Sequence, residues 1–162
     1  MADVVSVAFD AQDAFAGLDE LQAAAQVAVR PAAQAGAQFF YERVRANVAA
    51  IGRVTGNLQR AVYQVYSKDN STDGQRATYH VSWNFRTAPH GFLVEYGHVQ
   101  TRVTFLDDDG NWVTTKTPLK TPRRVGARPF LRPAYDSAQA VALQAAQDKF
   151  NETVRANARA VS

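Results

Sequence analysis

Between residues 123 and 137 the chain reads RRVGARPFLRPAYDS, with four arginines, two prolines and one glycine in front of a long alanine-rich segment. Pro129 and Pro133 stiffen the backbone there, and Pro133 suits the first turn of a helix, where its missing N–H costs little. Phe130 and Leu131 can anchor the turn in a core. The segment is therefore predicted to be a hinge that leads into the last helix, with its arginines left on the outside.

Length and composition limit the class of protein. The chain has 162 residues, a formal net charge of +3 and no cysteine. This length fits one domain, and we predict a single domain over residues 1–162. Without cysteine, disulfides, thiolate catalysis and zinc–sulfur sites are excluded. The sequence contains neither a secretion signal nor an apolar run of about 18 residues. We therefore expect a protein that is made in a cytoplasm and does not associate with a membrane.

Apolar spacing in the N-terminal third predicts one short strand and two helices. The alternating segment Val5–Phe9 is typical of a strand. Pro31 separates the two helices, because the residue before a proline avoids helical geometry and proline donates no hydrogen bond. The first helix is predicted to bury a face made of Phe15, Leu18, Leu21, Ala25 and Val29. The second is predicted to bury a face made of Phe40, Val44, Val48 and Ile51.

From Leu58 onward a period of two predicts β structure. Tyr63 and Val65 are expected to face inward on one strand. The next strand has the clearest alternation in the chain, and its inward residues are Ala77, Tyr79, Val81, Trp83 and Phe85. Residues 67–75 have turn chemistry, so the two strands are predicted to pair antiparallel.

A second hairpin is predicted at about residues 99–117. Its turn, Asp107–Asn111, is acidic, and aspartate followed by glycine suits a tight turn better than a calcium loop, which needs a closing glutamate. A monomer would rarely leave Phe105 and Trp112 in water. We therefore predict that this hairpin projects from the body and packs on a neighbouring subunit or ring.

The alanine-rich end of the chain predicts one long helix. Its buried face is expected to carry Leu143, Ala146, Phe150, Val154, Ala158 and Val161. Together these elements predict an α+β fold. An antiparallel sheet of four to five strands should pack against two N-terminal helices and one long C-terminal helix.

Candidate catalytic and metal-binding residues are few. The spacings of His80, His90 and His98 match no common ligand pattern, so no metal and no cofactor are predicted. Glu95 is a single carboxylate among apolar, aromatic and glycine residues, which favours a structural salt bridge or a cap over a general base. An enzyme that uses Glu95 with His90 or His98 stays open as a further hypothesis, but no catalytic residue is assigned.

Basic residues cluster before the last helix. Lys120, Arg123, Arg124, Arg128 and Arg132 follow one another with no acid between them. Arginines can bind phosphates bidentately, which would suit a small DNA-binding protein. Arginine is also enriched at protein interfaces, and neither an aromatic platform nor a recognition helix accompanies this stretch. An interface role is favoured, and DNA binding is kept as the alternative.

Three segments resemble, in order, the motifs of the phage tail-component family, the tail-completion and head–tail joining proteins of long-tailed double-stranded DNA phages. They read TGNLQRAV, HGFLVEYGH and ARPFLRPAYDS. The matching positions are Thr55, Gly56 and Leu58, then Val94, Glu95, Tyr96 and Gly97, then Ala127–Ala134, which includes Pro129, Phe130 and Pro133. His98 departs from the pattern, since threonine is common there, and the hairpin at 99–117 is longer than in many members.

The resemblance implies a structural virion protein of the phage neck, without enzymatic activity. It implies a homo-oligomeric ring of six or twelve copies that joins head to tail or terminates the tail. Partners would be other neck proteins and the tail-tube protein, with genome DNA passing through the channel without sequence-specific binding. The protein would be assembled in the host cytoplasm and located in the virion.

The resemblance also places the acidic motif and the arginine motif in one pattern. We therefore predict that Glu95 pairs with an arginine, with Arg128 as the first candidate. The contacts between subunits or with partners are expected to include Arg123, Arg124, Arg128 and Arg132, together with Phe105 and Trp112 of the hairpin.

Overall fold

The computed structural model describes residues 12–52, 56–109 and 112–159 of the chain. In chain order the described elements are α1 (Gln12–Ile51), α2 (Asn57–Ala61), β1 (Val62–Tyr66), β2 (Tyr79–Trp83), α3 (Gly91–Tyr96), β3 (His98–Leu106), β4 (Trp112–Val125) and α4 (Arg132–Arg159). The predicted combination of helices with antiparallel strands is confirmed. The predicted opening strand, Val5–Phe9, lies outside the described residues.

Helices α1 and α4 pack against each other in opposite directions. Phe40 stacks on Tyr135, with ring centroids 5.7 Å apart, while Gly36, about one turn earlier in α1, lies against Ala142, further along α4. The buried residues of the two helices are mostly small: Ala24, Ala28, Ala32 and Ala37 in α1, and Ala134, Ala138 and Ala142 in α4. A spacing of four places Ala24, Ala28, Ala32 and the buried Gly36 on one face of α1, and Ala134, Ala138 and Ala142 on one face of α4, which allows the two backbones to approach closely.

The prediction of two N-terminal helices is wrong, because α1 continues through Pro31 as a single helix. A proline in a helix interior removes one backbone hydrogen bond and costs about 3 kcal/mol. Ala28 and Ala32, on either side of it, are buried at 0% and 8% exposure. Burial of a continuous small-residue face on both sides of the proline outweighs this local cost.

The predicted apolar faces of the long helices are wrong at their leucines. Leu18, Leu21 and Leu143 are exposed at 60%, 49% and 68%. Where helix backbones approach closely there is no room for a leucine, so alanines fill the contact and the leucines lie outside it. The side chain of Phe15 and the residue Val161 lie outside the described part of the chain.

The described strands form two separate two-stranded antiparallel sheets, β1–β2 and β3–β4. The predicted single sheet of four to five strands is not present among these residues. In the first sheet Val62 lies opposite Trp83 and Gln64 lies opposite Val81. Cross-strand partners share a face, so the inward face of β1 carries Val62 and not the predicted Tyr63 and Val65, which are exposed.

Strand β2 ends before Phe85, which was expected on its inward face and is exposed at 59%. The side chain of Asn84 accepts hydrogen bonds from the backbone N–H groups of Arg86 and Thr87, at 2.9 and 3.4 Å. Asparagine stabilises a turn in this way. The chain therefore leaves the sheet one residue too early for Phe85 to reach the core.

The second hairpin is longer than predicted. Strand β4 runs past residue 117 to Val125, so Arg123 and Arg124 lie on a strand, opposite Gln100 and Val99. The register shifts so that residues 119–122 face the single residue Thr101, since Pro118 pairs with Arg102 and Arg123 pairs with Gln100. Such a bulge accommodates Pro122, which cannot donate to a ladder.

The core lies where α1, the first sheet and the start of α4 meet. Its buried members are Val44, Val48, Val62, Phe130 and Ala134. Trp83 contacts Phe130 edge-on at 5.3 Å between ring centroids. Val81 and Leu58 pack against the same cluster, so the inward orientation expected for Val81 and Trp83 is the observed one. Within the described residues, no helix has both the length and the apolar character needed to cross a membrane.

Close helix contact predicts a specific intolerance at Gly36. A Cβ atom there would lie 3.1 Å from the carbonyl oxygen of Ala142 and 3.3 Å from the Cβ of Ala146. We expect Gly36→Leu to lower the free energy of unfolding by about 1–3 kcal/mol, because it overpacks the contact. Gly17→Leu is the matched control. Gly17 lies in the same helix, and a Cβ atom there would have no neighbouring atom of another element within 4 Å. Urea denaturation that finds the two variants equally stable would contradict this packing.

Candidate functional site

The segments that carry the family resemblance meet around the start of α4. Glu95 lies in the short helix α3, one turn after Gly91. A Cβ atom at Gly91 would overlap the indole nitrogen of Trp83, so only glycine allows α3 to sit against the Trp83 side chain. Trp83 in turn contacts Phe92 and Phe130. This packing brings Glu95 to the N-terminal end of α4.

The carboxylate of Glu95 is 1% exposed and accepts four hydrogen bonds. Its Oε2 accepts from the backbone N–H groups of Phe130, at 2.7 Å, and Leu131, at 3.0 Å. Its Oε1 accepts from the backbone N–H of Arg132, at 3.2 Å, and from the Nε of Arg132, at 3.1 Å. The N–H groups at a helix start have no partner within the helix. Glu95 therefore caps α4 from another element, and its negative charge also stabilises the helix dipole.

Arg132 completes this junction. Its Nη2 donates to the backbone oxygen of Glu95 at 3.0 Å, and its guanidinium carbon lies 5.0 Å from the centroid of the Tyr96 ring. The side chain is 57% exposed, so its outer part remains available to solvent. Arg132 therefore contributes both to the ion pair with Glu95 and to the surface beside it.

The predicted ion pair between Glu95 and an arginine is confirmed, but the first candidate, Arg128, is wrong, because the partner is Arg132. Arg128 lies before the helix. Its backbone N–H donates to the oxygen of Val94 at 2.8 Å, and its Nη1 donates to the oxygen of Ile51 at 3.4 Å. A cation near the carbonyl groups at a helix C-terminus is favourable. The two arginines of the motif thus serve different helix ends, Arg132 the start of α4 and Arg128 the end of α1.

Glycines of the other motifs allow close turns. Gly97 has a φ of +72°, and a Cβ atom there would lie 2.8 Å from both the oxygen of Val125 and the nitrogen of Ala127. A side chain at this position would separate the end of α3 from the segment that leads to α4. Gly56 is left-handed, with a φ of 74°, and precedes α2, whose Leu58 packs on the core. Thr55 lies outside the described residues.

Two opposing effects set the protonation of Glu95. Burial raises the pKa of its carboxyl group, whereas the hydrogen bonds from Leu131, Phe130 and Arg132 lower it. The hydrogen bonds together outweigh burial, and the pKa lies below its usual range. Because both oxygens are occupied by N–H donors, the carboxylate has no lone pair directed at a substrate, which disfavours its use as a general base.

The remaining predicted site residues do not join this junction. Arg123, Arg124 and Phe105 lie on the β3–β4 hairpin, where all three are exposed. Trp112 begins β4, and its side chain lies outside the described part of the chain. The basic stretch is therefore divided between a strand, a connecting segment and a helix start.

The histidines are also separate from any cluster of ligands. Among the described residues, no group of three or more acidic or histidine side chains could hold a metal ion. His90 precedes α3, and burial lowers its pKa. His98 begins β3 and His80 lies in β2. None of the three donates to or accepts from Glu95.

Sequence reasoning missed two features of the junction. The side chain of Asn47 donates to the oxygen of Phe130 at 2.9 Å and so fixes the motif to α1. A polar residue between Val44 and Val48, both buried, was the available signal. The second feature is an open groove of about 710 Å³ beside the junction, lined by Ala37, Phe40, Tyr79, Val81, Leu131 and Tyr135 among others.

Comparison with known proteins adds no relative: no protein-family profile, no curated protein and no solved structure matches this chain.

The Glu95 cap predicts a large effect of a small substitution. In Glu95→Gln an amide N–H₂ group replaces one oxygen and faces backbone donors, which leaves buried N–H groups without an acceptor. We expect the free energy of unfolding at pH 7 to fall by about 3 kcal/mol. The control is Glu152→Gln, since Glu152 is exposed and pairs with Lys149 at 2.9 Å on the surface of α4. That change should cost less than about 0.5 kcal/mol. If guanidinium denaturation found Glu95→Gln and Glu152→Gln equally stable, the capping role of Glu95 would be contradicted.

The same cap predicts a pH dependence with a definite sign. The folded-state pKa of Glu95 is lowered, so its stabilisation is complete above the unfolded value of about 4.3 and is lost as pH falls through the folded value. The difference in unfolding free energy between the native chain and Glu95→Gln should therefore be constant near neutral pH and shrink below about pH 4. His90 titrates in both chains, so its contribution cancels. A difference that grows in acid would contradict this assignment.

Proposed function

We propose that this protein is a structural subunit of the neck of a long-tailed phage, which assembles as a ring that joins head to tail or terminates the tail. The observation that carries the proposal is the Glu95 junction. The residues that resemble the family motifs bond directly to one another there: Glu95 to Phe130, Leu131 and Arg132. A motif whose carboxylate is used to cap a helix is suited to a scaffold and not to catalysis.

The β3–β4 hairpin supports assembly into a ring. A two-stranded hairpin alone is marginally stable in water. This hairpin exposes a strip of apolar side chains, with Val99 at 59%, Val103 at 37%, Phe105 at 48% and Val113 at 37%. An exposed apolar strip of this kind marks an interaction surface. A neighbouring copy in a ring of six or twelve subunits would cover it.

The other proposed partners follow from the same place in the virion. They are further neck proteins, the tail-tube protein, and genome DNA that passes through the channel without sequence-specific binding. The acidic turn of the hairpin, Asp107–Asp109, would repel phosphate and let the genome slide if it faced the channel. The choice between head closure and tail termination depends on which ring the hairpin meets.

DNA binding is the second candidate function, and one observation favours it. Five basic residues of the hairpin are exposed: Arg102, Lys116, Lys120, Arg123 and Arg124. Exposed basic side chains can neutralise backbone phosphates. Against this candidate, Arg128 and Arg132 bond to the protein itself and are less free to reach a duplex.

Sedimentation separates the two functions. For the ring, the full chain should form a discrete oligomer as its concentration rises from about 1 µM to about 1 mM, without retarding duplex DNA at physiological salt. Replacing Val103 and Phe105 together by serine should abolish the oligomer and leave thermal unfolding of the monomer unchanged. The control replaces Val141 and Leu143 by serine, which are exposed on α4 at 53% and 68%. A chain that stays monomeric and binds DNA tightly would contradict the ring.

A further inference from the structure

Strand β2 has one edge without a partner strand. Among the described residues, β2 pairs with β1 alone. At the two ends of this ladder, Ser67 donates to Thr78 and Asn84 donates to Ala61. Hydrogen-bonded pairs alternate in an antiparallel ladder, so the even-numbered residues of β2 bond to β1. The backbone N–H and C=O groups of the odd-numbered residues therefore point toward the free edge.

The free edge borders the open groove of about 710 Å³. Ala77, Tyr79 and Val81 are three alternate residues that line this groove, and Ala33 and Leu131 lie on its other walls. A strand edge beside an apolar groove can take up an extended segment, because backbone groups bond to the edge and alternate side chains enter the groove. Exposed edges of this kind are usually covered or blocked.

The β3–β4 hairpin does not supply such a segment. In its ladder Arg102 lies opposite Pro118, and the Oγ1 of Thr115 donates to the oxygen of Val103. The backbone groups of the odd-numbered residues of β3 therefore face β4. An addition through the free edge of β3 would direct its even-numbered, polar side chains into the groove.

The segment before α1 has the required pattern. Val5, Val7 and Phe9 alternate with Ser6 and Ala8, in residues that precede the described part of the chain. This alternation is typical of a strand with one apolar face. The three apolar residues match, in number and spacing, the three alternate residues that line the groove beside the free edge.

Distance excludes the groove of the same copy. Ala33 is the lining residue nearest the start of α1, and a rise of about 1.5 Å per residue places it about 30 Å from Gln12. A fully extended chain spans at most about 3.6 Å per residue, so Phe9 stays within about 11 Å of Gln12 and Val5 within about 25 Å. The segment can therefore enter only the groove of another copy.

Charge favours an antiparallel addition. In that direction Asp10, directly after the segment, lies at the Tyr79 end of β2. Arg30 is at this end, 4.4 Å from the centroid of the Tyr66 ring and hydrogen-bonded to Tyr79. The loop between β1 and β2 adds two cations and two anions, so Arg30 leaves this end positive. The opposite charges of Asp10 and this end would attract.

We propose that residues 5–9 of one copy add antiparallel to the β2 edge of a second copy, with Val7 opposite Tyr79 and three apolar side chains in the groove. This inference rests on the proposed ring and names one of its contacts. Because the segment and the groove are different surfaces, each copy gives one and receives the other, and such contacts can close into a ring.

The absence of cysteine from the native chain allows a direct test. In the proposed register Ser6 lies opposite His80, in a close pair without backbone hydrogen bonds. The double variant Ser6→Cys with His80→Cys is oxidised and analysed by non-reducing electrophoresis and mass spectrometry. Disulfides between copies should exceed at least about tenfold those of the control, Ser6→Cys with Gln139→Cys, in which Gln139 is an exposed residue of α4.

Serine substitutions test which face of the segment is used. Val5→Ser together with Val7→Ser removes apolar side chains from the groove, and the dissociation constant of the oligomer should rise at least about tenfold. The control is Val4→Ser together with Ala8→Ser, which changes the opposite face of the same segment and should leave the constant within about twofold. All four positions precede α1, so thermal unfolding should be unchanged in both variants.

The outcomes separate this contact from the ring itself. Disulfides between copies, with the larger effect from Val5→Ser and Val7→Ser, support the contact. An oligomer that cross-links no better than the control, or that responds equally to both serine pairs, overturns the contact and leaves the ring standing. A monomer with an internal disulfide between positions 6 and 80 would mean that the segment fills its own groove, which also overturns the contact. If neither an oligomer nor a cross-link forms, both the contact and the ring are wrong.

Discussion

The junction between α3 and the start of α4 depends on one buried carboxylate. Glu95 accepts the backbone N–H groups of Phe130, Leu131 and Arg132, and it does so from a separate short helix. Without it, three donors at the start of α4 would face an apolar environment, at a cost of about 1–3 kcal/mol each. The cap fixes where α4 begins and therefore which of its faces meets α1. It also holds Phe130 in the core, where the ring contacts Trp83 from the first sheet.

The chain buries small side chains and exposes large ones. Alanines form most of the contact between α1 and α4, whereas Leu18, Leu143 and Phe105 are more than 45% exposed. Alanine contributes little apolar area, so the single chain gains less from burial than its hydrophobic content would allow. Large side chains left outside are a reservoir of apolar area for contacts with other subunits. The two small sheets have the same need for a partner. A two-stranded sheet is stable only when it packs against a helix, further strands or another subunit.

Parts of this fold follow from the sequence and others do not. Alternation identified β2 and its inward residues Val81 and Trp83, and Pro133 identified the first turn of α4. Local patterns could not reveal that α1 continues through Pro31, because the stabilisation comes from an alanine face that packs on a helix about 100 residues away. Leucine is more hydrophobic than alanine, so a prediction from hydrophobicity placed leucines on the buried faces of α1 and α4, where alanines are found. The arginine partner of Glu95 could not be predicted, because the choice between Arg128 and Arg132 depends on the residue at which α4 begins.

Native-state hydrogen exchange of three backbone amides tests the central claim most directly. The N–H groups of Phe130, Leu131 and Arg132 precede the first intrahelical bonds of α4, and such amides ordinarily exchange fast. If the Glu95 carboxylate holds them in a buried site, they should exchange only through the global unfolding that exposes the Val44 and Val48 amides of the core. Exchange of these three amides at the rate of exposed, unbonded amides would contradict the account.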